Sequence, residues 1–485
     1  MTVLQGYKPE KVFEYFETLC EIPHGSGNTT RLSNWLVDFA KALNLEYYQD
    51  EMENVIIIKE ASAGYENRDP VILQGHIDMV CDKDEDCHKD MEKEGLDLAI
   101  DGDKLYAVGT TLGGDDGIAV AYMLALLADD GLSHPRIEAV FTTEEETGLY
   151  GAEAIDVAPL TGKKFINLDS EEEGIVTVGC AGGVTAVASI PVSREKCEGT
   201  ALEVRLSGFH GGHSGSDITM GQENALKVMG RLLYELQKET DARLLSVDGG
   251  VADNAIPPSG NAVVVSKEPE KVNQLIARYE DIFAHEFKVD RDFKITVSPI
   301  EGIAKNYNGG ELSAMDAKSS ESVIAYLIGT PNGIEKMTLG MDKLPQTSLS
   351  MGILETKDDS VEFTFCIRSS VDSECDMLAR RLQCQAEVLG GEVTFEGRYP
   401  GWEYVANSPL RDLVCEVYKE QTGKEMVIEA IHAGLECGYF ASKIPGLDCV
   451  SIGPDIENVH TPKEVIYISS IQRTWELLVE VLRRL

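Results

Sequence analysis

Positively charged residues are scarce in this sequence. Of its 485 residues, 43 are lysine or arginine and 83 are aspartate or glutamate, so the formal net charge at pH 7 is −40. A chain of this charge repels phosphate backbones and anionic lipid surfaces, so we expect neither nucleic acid nor a membrane as its partner. Its many carboxylates can still bind hard or borderline cations.

The cysteines follow no pattern that would make them structural. There are eleven of them, an odd number, and no two are spaced Cys-x-x-Cys. This argues against a disulfide framework and against a structural zinc site made of thiolates. No apolar run approaches the roughly 18 residues that a membrane span needs. Residues 1–30 lack the basic start and apolar stretch of a secretory leader, so we expect a cytoplasmic protein.

Nucleotide-binding signatures are also missing. The chain contains neither Gly-x-Gly-x-x-Gly nor a P-loop, which disfavours a nucleotide-dependent or redox enzyme. Apolar residues make up 43% and charged residues 26%, an ordinary globular composition. The length predicts two or three domains.

The first part of the chain has the pattern of an α/β protein. Buried strands are predicted at 54–59, 70–76, 137–143 and 164–169, with a buried helix at 117–127. Strands that alternate with helices favour a largely parallel sheet, in which ligands lie at the carboxyl ends of the strands. The last part of the chain returns to this pattern and is expected to complete the same sheet.

Residues 184–399 follow a different order. From 201 to 299 the predicted elements run β-α-β-β-α-β, the order of a ferredoxin-like fold, and residues 320–398 look similar. We therefore predict an α/β protein with a catalytic domain formed by residues 1–183 and 400–485. The inserted lid or dimerisation domain, 184–399, is predicted to be α+β and built from two ferredoxin-like halves.

Polar clusters follow five of the predicted strands or turns. They are Gln74-Gly-His76-Ile-Asp78, Gly113-Gly-Asp115-Asp116, Glu144-Glu145-Glu146, Asn167-Leu-Asp169 and Asn458-Val-His460. Each has an ordinary explanation by itself: a surface triplet, a helix cap, a solvated loop or a structural turn. Together they place two histidines and three carboxylates at strand exits of one sheet, which suits a two-metal hydrolase.

The sequence resembles the aminoacyl-histidine (Xaa-His) dipeptidases, within the cocatalytic di-zinc peptidase family that also contains peptidase T and the aminoacylases. The resemblance runs nearly end to end. Its motifs are IPHGSGN (22–28), QGHIDMV (74–80), TLGGDDG (111–117), TEEETGLYGA (143–152), NLDSEEEG (167–174), GCAGG (179–183), GGHSG (211–215), NAIP (254–257), IRSSVDS (367–373), IHAGLECG (431–438) and the segment around His460.

The resemblance implies a role for each residue at the strand exits. His76 would bind one zinc ion and His460 the other, with Asp115 bridging the two ions. Glu146 and Asp169 would complete the sites, one on each ion. Glu145 would be the general base, and Asp78 would orient His76. The resemblance also implies a cis peptide bond between Asp115 and Asp116. Manganese or cobalt can occupy such a site in place of zinc.

Five further residues are assigned to the substrate or its tetrahedral intermediate by the resemblance. His213, in a glycine-rich loop, would stabilise the oxyanion. Asn254 and Arg368 would hold the carboxylate end of the substrate, where a guanidinium can bind with two hydrogen bonds. Glu436 would anchor the free amine. His432, in the same segment as Glu436, is grouped with these substrate-binding residues.

The predicted function is therefore hydrolysis of unblocked dipeptides, Xaa-His and a broader range, with carnosine as a candidate substrate. Two alternatives stay open. One is an aminoacylase or a tripeptidase of the same family, because the size of the pocket cannot be read from sequence. The other is a non-catalytic protein that binds metal or peptide on the same fold. The sequence also leaves open a homodimer.

Overall fold

The structure, a computed structural model, describes residues 3–300, 312–341 and 343–485. Residues 301–311 and 342 belong to the range predicted as the inserted domain and lie outside the described residues. The chain divides into two compact units. Unit 1 consists of Met1–Cys180, Trp402–Ala430 and Leu435–Leu485, and unit 2 consists of Ala181–Gly401 and Ile431–Gly434.

Unit 1 is built on a mixed sheet of eight strands. In order across the sheet, these are Glu46–Gln49, Val55–Lys59, Ile137–Thr142, Val71–His76, Lys164–Asn167, Asp448–Ser451, Ile175–Cys180 and Val427–Ile431. The four strands from Ile137–Thr142 to Asp448–Ser451 are parallel to their neighbours within this group. Their side chains are almost all buried on both faces, as expected for parallel strands covered by helices.

The parallel register brings the carboxyl ends of these strands side by side. His76 pairs with Thr142, Gln74 with Asn167, and Asn167 with Ser451. The strand predicted at 164–169 is shorter than expected and ends at Asn167. Asp169 therefore lies in the turn just beyond the strand, on the same edge of the sheet as His76.

Seven helices are described in unit 1. They are Glu10–Cys20, Thr30–Ala42, Gly114–Ala128, Tyr150–Ala154, Pro409–Thr422, Cys437–Lys443 and Ile468–Arg484. Helix Gly114–Ala128 is buried around almost its whole circumference because its sequence, GIAVAYMLALLA after the two aspartates, is apolar on every side. A second, small antiparallel sheet has the strands Ile456–Glu457, Val465–Tyr467, Lys104–Ala107 and Leu98–Asp101.

Unit 2 contains two larger antiparallel sheets. The first has the order Arg243–Asp248, Gly260–Ser266, Thr200–Ser207 and Lys294–Pro299, with the helices Ala225–Glu239 and Pro269–Glu286. The second has the order Gly333–Met337, Pro345–Thr356, Ser360–Ser369, Gly182–Pro191 and Glu392–Tyr399, with the helices Ala317–Gly329 and Asp372–Val388. One continuous apolar cluster, from Val184 to Ala386, includes residues of both sheets.

Two small two-stranded sheets complete unit 2. Arg194–Lys196 pairs with Ser313–Met315, and Gly212–His213 pairs with Ala255–Ile256. The strand Ala255–Ile256 was not expected from the sequence, because only two residues pair and so leave no periodic pattern. This pairing fixes the glycine-rich loop that carries His213 beside the segment that carries Asn254. Within the described ranges, no helix is long and apolar enough to cross a membrane.

Candidate metal centre and active site

One carboxylate in unit 1 lies between two imidazoles. Asp115 Oδ1 is 3.1 Å from His76 Nε2, and Asp115 Oδ2 is 3.2 Å from His460 Nε2. His76 ends a parallel strand, whereas His460 belongs to a loop 345 residues further along the chain than Asp115. The two oxygens of Asp115 therefore face two different ring nitrogens, which is the arrangement that a carboxylate shared by two cations requires.

The ring of His76 is held by Asp78. His76 Nδ1 donates a hydrogen bond to the backbone carbonyl of Asp78 at 2.9 Å, which turns Nε2 toward the carboxylates. Nε2 faces Asp115 and, at 3.6 Å, Asp169 Oδ1. A neutral imidazole whose other nitrogen donates to a carbonyl is a typical metal ligand.

The second imidazole has a carboxylate partner of its own. Glu146 Oε2 is 2.9 Å from His460 Nε2. Ligand atoms of Asp115, Glu146 and His460 all lie within 4.8 Å of one another, close enough to hold one ion. Glu146 Oε1 is buried and has no hydrogen-bond partner among the described residues. An unpaired buried carboxylate oxygen is costly, and a cation would satisfy it.

Neither Asp115 nor Asp116 caps the helix with its side chain, so the cap explanation is wrong: the carboxylate of Asp115 faces His76 and His460, and that of Asp116 bonds to the backbone of His76. Helix Gly114–Ala128 includes both residues, but Asp115 has φ −83°, ψ 106° and Asp116 has φ −117°, ψ 30°. The peptide bond between them is cis. Asp116 turns inward, where its buried Oδ2 accepts the backbone N–H of His76 at 3.1 Å.

The three consecutive glutamates have different neighbours. The carboxylate of Glu144 accepts the backbone N–H of Gly27 at 2.6 Å and the Thr147 hydroxyl at 3.0 Å, so it ties two loops together. Glu146 faces His460. Glu145 joins another group, in which ligand atoms of His76, Glu145 and Glu146 lie within 4.8 Å of one another.

Several ionisable side chains lie close together in this buried part of unit 1, and their pKa values are shifted as a result. Hydrogen bonds to Asp115 and Glu146 raise the pKa of His460 to about 10. Burial raises the pKa of Asp169 to about 6. Burial, together with the nearby Asp169, Glu436 and Glu146 carboxylates, raises the pKa of Glu145 well above its ordinary value. The cluster therefore favours protons, or an equivalent positive charge, among its carboxylates.

Glu436 lies behind this cluster and is completely buried. Its Oε2 accepts hydrogen bonds from Gln74 Nε2 at 2.5 Å and from Thr142 Oγ1 at 2.7 Å. Its Oε1 has no hydrogen-bond partner within the described part of the chain. Burial raises the pKa of Glu436 to about 8.

Two of the predicted substrate residues meet within unit 2. His213 Nδ1 accepts the backbone N–H of Ser216 at 3.1 Å, so the ring proton is on Nε2. Arg368 Nη2 lies 3.4 Å from that Nε2. Two N–H donors therefore point into the same space and cannot bond to each other. Arg368 Nη1 donates to the Tyr399 hydroxyl at 2.9 Å, which fixes the guanidinium.

The other two substrate residues have separate positions. Asn254 is exposed, and its backbone carbonyl accepts the N–H of Ser214, next to His213, at 2.8 Å. His432 is buried, with its Nε2 2.7 Å from the Ser348 hydroxyl. Burial, reinforced by the positive charge of Arg368, lowers the pKa of His432 to about 4.

Some residues that shape the site were not singled out from the sequence. Ser26 donates to Asp78 Oδ2 at 2.8 Å, and Glu464 accepts backbone N–H groups of the Asp115 loop. Both contacts join segments that are far apart along the chain. Glu464 follows His460 by four residues, but a glutamate in a loop has no pattern that reveals its partners.

Most of the chain matches one family of peptidases. The model of Peptidase family M20/M25/M40 matches residues 72–484. The chain belongs to this family. Membership agrees with the mixed, mainly parallel sheet of unit 1 and with the groups of histidine, aspartate and glutamate that could hold metal ions.

Individual family members extend the comparison. A cytosol non-specific dipeptidase of Escherichia coli (strain K12) is 36% identical over 490 residues, covering 100% of this chain and 99% of its own length. The crystal structure of an aminoacylhistidine dipeptidase from Vibrio alginolyticus has a TM-score of 0.94 and 33% identity, covering 99% of this chain and 98% of that chain. Aminopeptidase PepT from Bacillus cereus has a TM-score of 0.55 at 16% identity, with 98% of each chain covered, and shares the fold.

Proposed function

We propose that this protein is a metal-dependent dipeptidase that hydrolyses the peptide bond of unblocked dipeptides, including Xaa-His. The observation that carries the proposal is the position of the Asp115 carboxylate between His76 and His460, with Glu145 beside them. The two dipeptidases at 36% and 33% identity, which match the chain over nearly its full length, support the same reaction.

The residues present fit two divalent cations. His76, Asp115 and Asp169 would hold one cation, and Asp115, Glu146 and His460 the other. Imidazole and carboxylate ligands favour zinc, and manganese or cobalt can take the same ligands. The unpaired oxygen of Glu146 and the mutual repulsion of the carboxylates support this assignment. When bound, the cations would polarise the peptide carbonyl and lower the pKa of the attacking water.

In the proposed reaction, Glu145 accepts a proton from the water as the water oxygen attacks the carbonyl carbon. The tetrahedral intermediate then breaks at the C–N bond, and Glu145 delivers the proton to the leaving amine. The products are two free amino acids. Glu145 is suited to this role because its pKa is already raised by burial, so it can take up the proton and release it again.

Recognition of the substrate's anionic groups is proposed for unit 2. The N–H donors of His213 and Arg368 converge on one space, which an oxyanion or a carboxylate would satisfy. Burial and the charge of Arg368 lower the pKa of His213, so its ring is the neutral donor. Asn254, on the adjoining segment, and His432 are proposed to complete the contacts with the substrate.

We propose that Glu436 selects substrates whose amine is unblocked. Its Oε1 has no partner among the described residues, and an ammonium group beside it would favour the ionised carboxylate over the protonated form that burial favours, while Gln74 and Thr142 hold its other oxygen. An N-acetylated substrate lacks this positive charge. A preference for the free amine would therefore distinguish a dipeptidase from an aminoacylase.

The domain roles predicted from the sequence remain part of the proposal. Residues 184–399 would be an inserted lid or dimerisation domain with two ferredoxin-like halves. The strand orders of the two larger antiparallel sheets of unit 2 support this, because each contains the sequence of neighbours expected for β-α-β-β-α-β. The Escherichia coli relative is a cytosol dipeptidase, and we propose the same location for this chain. Light scattering of the purified protein would test the homodimer.

The proposal is tested with a substrate panel of Ala-His, carnosine, Gly-Leu, a tripeptide and an N-acetyl amino acid. The protein is assayed after chelation and again after zinc is restored. We expect hydrolysis of the unblocked dipeptides, lost on chelation and recovered with zinc. Cleavage of the acetylated substrate alone would make the protein an aminoacylase, and preference for the tripeptide would make it a tripeptidase. Binding of zinc without any hydrolysis would identify a binding protein.

A further inference from the structure

A buried glutamate outside the predicted site holds the loop that precedes the Asp115 carboxylate. Glu464 is only 2% exposed. Its Oε2 accepts the backbone N–H groups of Leu112 at 2.7 Å and Gly113 at 3.0 Å. Its Oε1 accepts those of Gly114 at 2.7 Å and Asp115 at 3.3 Å. One side chain thus satisfies four consecutive backbone donors.

These four donors lie in residues 112–115, before the regular part of helix Gly114–Ala128. The N-cap, Gly113, has no side chain that could accept a hydrogen bond, and Asp115 and Asp116 have non-helical backbone angles. Buried backbone N–H groups in such a segment need acceptors from elsewhere in the chain. Glu464 supplies these acceptors from a position 350 residues away from Gly114 in the sequence.

One glycine of this loop is explained by the same contact. A Cβ atom on Gly114 would lie 3.1 Å from Glu464 Oε1, so a side chain there would crowd the carboxylate. Gly113 has a different reason: its φ is +66°, and a Cβ atom there would lie 2.7 Å from Met79 Sδ.

Glu464 is also part of the loop that carries His460. Its backbone N–H donates to the carbonyl of Thr461 at 3.0 Å, which closes a turn directly after His460. His460 itself has φ +62°, a left-handed conformation that a non-glycine residue adopts only when its surroundings hold it. A single carboxylate therefore connects the loop of one candidate metal ligand to the loop of another.

We infer that Glu464 is a positioning residue for the metal centre, which fixes Asp115 relative to His460 through the four backbone hydrogen bonds. The inference rests on the proposed metal-dependent function, because it concerns residues that would hold the cations. Since Asp115 faces both His76 and His460, loss of this support affects both cation sites. Glu464 acts on the metal ligands only through these backbone N–H groups.

The test is zinc affinity, measured by competition with a chromophoric chelator in the absence of substrate. Glu464→Gln replaces one acceptor oxygen by an NH₂ group that confronts backbone N–H donors. We expect it to weaken the binding of both zinc ions by about 10–100-fold, the usual effect of removing a residue that supports metal ligands. Glu464→Asp keeps the charge and both oxygens on a shorter side chain, so its zinc affinity should lie between wild type and Glu464→Gln.

The chain offers a matched control in Glu138. This glutamate is also completely buried, and its carboxylate accepts the backbone N–H groups of Thr161 and Gly162 and the Thr161 hydroxyl, at 2.6–3.0 Å. It lies near the beginning of strand Ile137–Thr142, whereas the candidate ligands follow strand ends. We expect Glu138→Gln to lower the thermal unfolding midpoint and to leave zinc affinity within about twofold of wild type, since it supports no ligand loop.

The possible results distinguish a failure of the inference about Glu464 from a failure of the proposed function. Wild-type zinc affinity in Glu464→Gln would overturn the inference, whatever its thermal stability. Equal weakening by Glu138→Gln would also overturn it, because the effect would then follow from lost stability alone. A wild-type protein that binds no zinc would contradict the proposed function itself, and the inference with it.

Discussion

Asp78 Oδ1 accepts the backbone N–H of Glu145 at 3.1 Å. The other oxygen of the same carboxylate accepts the N–H of Glu146 at 3.3 Å and the hydroxyl of Ser26 at 2.8 Å. Through its backbone carbonyl, Asp78 also holds the ring of His76. Asp78 thus positions the candidate ligand His76, the proposed base Glu145 and the candidate ligand Glu146.

Asp78→Asn is expected to reduce kcat/KM for Ala-His by about 10–100-fold, because an amide cannot accept all three of these hydrogen bonds. Zinc content is measured on the same samples. Ser26→Ala removes only one donor to Asp78 and should cost less than about tenfold. Activity of Asp78→Asn within twofold of wild type would contradict this role.

Arg368→Lys is expected to raise KM for Ala-His by about tenfold or more while changing kcat less, because lysine keeps the charge but loses the fixed, planar pair of donors. The preference for a free carboxylate over a carboxamide at the substrate's C-terminus should fall in parallel. Arg381→Lys is the control, since Arg381 lies in the same unit and pairs with Glu335 at the surface. An unchanged KM in Arg368→Lys would remove Arg368 from substrate recognition.

Binding of zinc at pH 7 is expected to release protons. Hydrogen bonds to Asp115 and Glu146 raise the pKa of His460 to about 10, so this ring is protonated in the metal-free protein. A metal binds the neutral imidazole, so about one proton leaves His460, and zinc affinity falls as pH falls. Calorimetry in buffers of different ionisation enthalpy measures the release. His460→Ala should lower it, and a binding enthalpy independent of the buffer would show the prediction to be wrong.

The stability of the protein is expected to depend on His432 in weakly acidic solution. Burial and Arg368 lower the pKa of His432 to about 4, below its ordinary value of 6.5. Between pH 6.5 and 4 the unfolded chain takes up a proton at this position and the folded protein does not, so stability decreases as pH falls.

Chemical denaturation of wild type and His432→Gln at pH 7 and pH 4 measures this effect. The loss of unfolding free energy on acidification should be smaller in His432→Gln by about 1–3 kcal/mol. Glutamine can keep a hydrogen bond to Ser348 but has no group that titrates in this range. Equal losses in the two proteins would contradict the low pKa of His432.

Sequence reasoning went furthest where a side chain is placed by the regular geometry of a strand. His76 directly ends a predicted parallel strand, and neighbouring parallel strands end at one edge, so its proximity to Asp169 was expected. The glutamate triplet and His460 were candidates from the residues alone, and the resemblance assigned separate roles to Glu145, Glu146 and His460, whose loops have no regular geometry. Their roles as ligands and base remain predictions.

Contacts that depend on backbone donors or on unusual backbone conformations could not be predicted. Glu464 recognises four N–H groups about 350 residues away, and backbone groups are the same in every sequence. Asp115 and Asp116 looked like a helix cap because aspartate is common there, but their carboxylates bond to His76 and His460 across a cis peptide bond that the residue types do not reveal. The ring proton of His213 follows from the N–H of Ser216, which only the folded loop brings to Nδ1.

The most direct test of the account is the rate at which Glu145→Gln hydrolyses Ala-His when its zinc content equals that of wild type. Glu144→Gln is the control, because Glu144 is occupied by Gly27 and Thr147 and should tolerate the change far better. We predict that Glu145→Gln loses about 10²–10⁴-fold in kcat, the contribution of a general base. Full activity of zinc-loaded Glu145→Gln would contradict the assignment of Glu145 as the base.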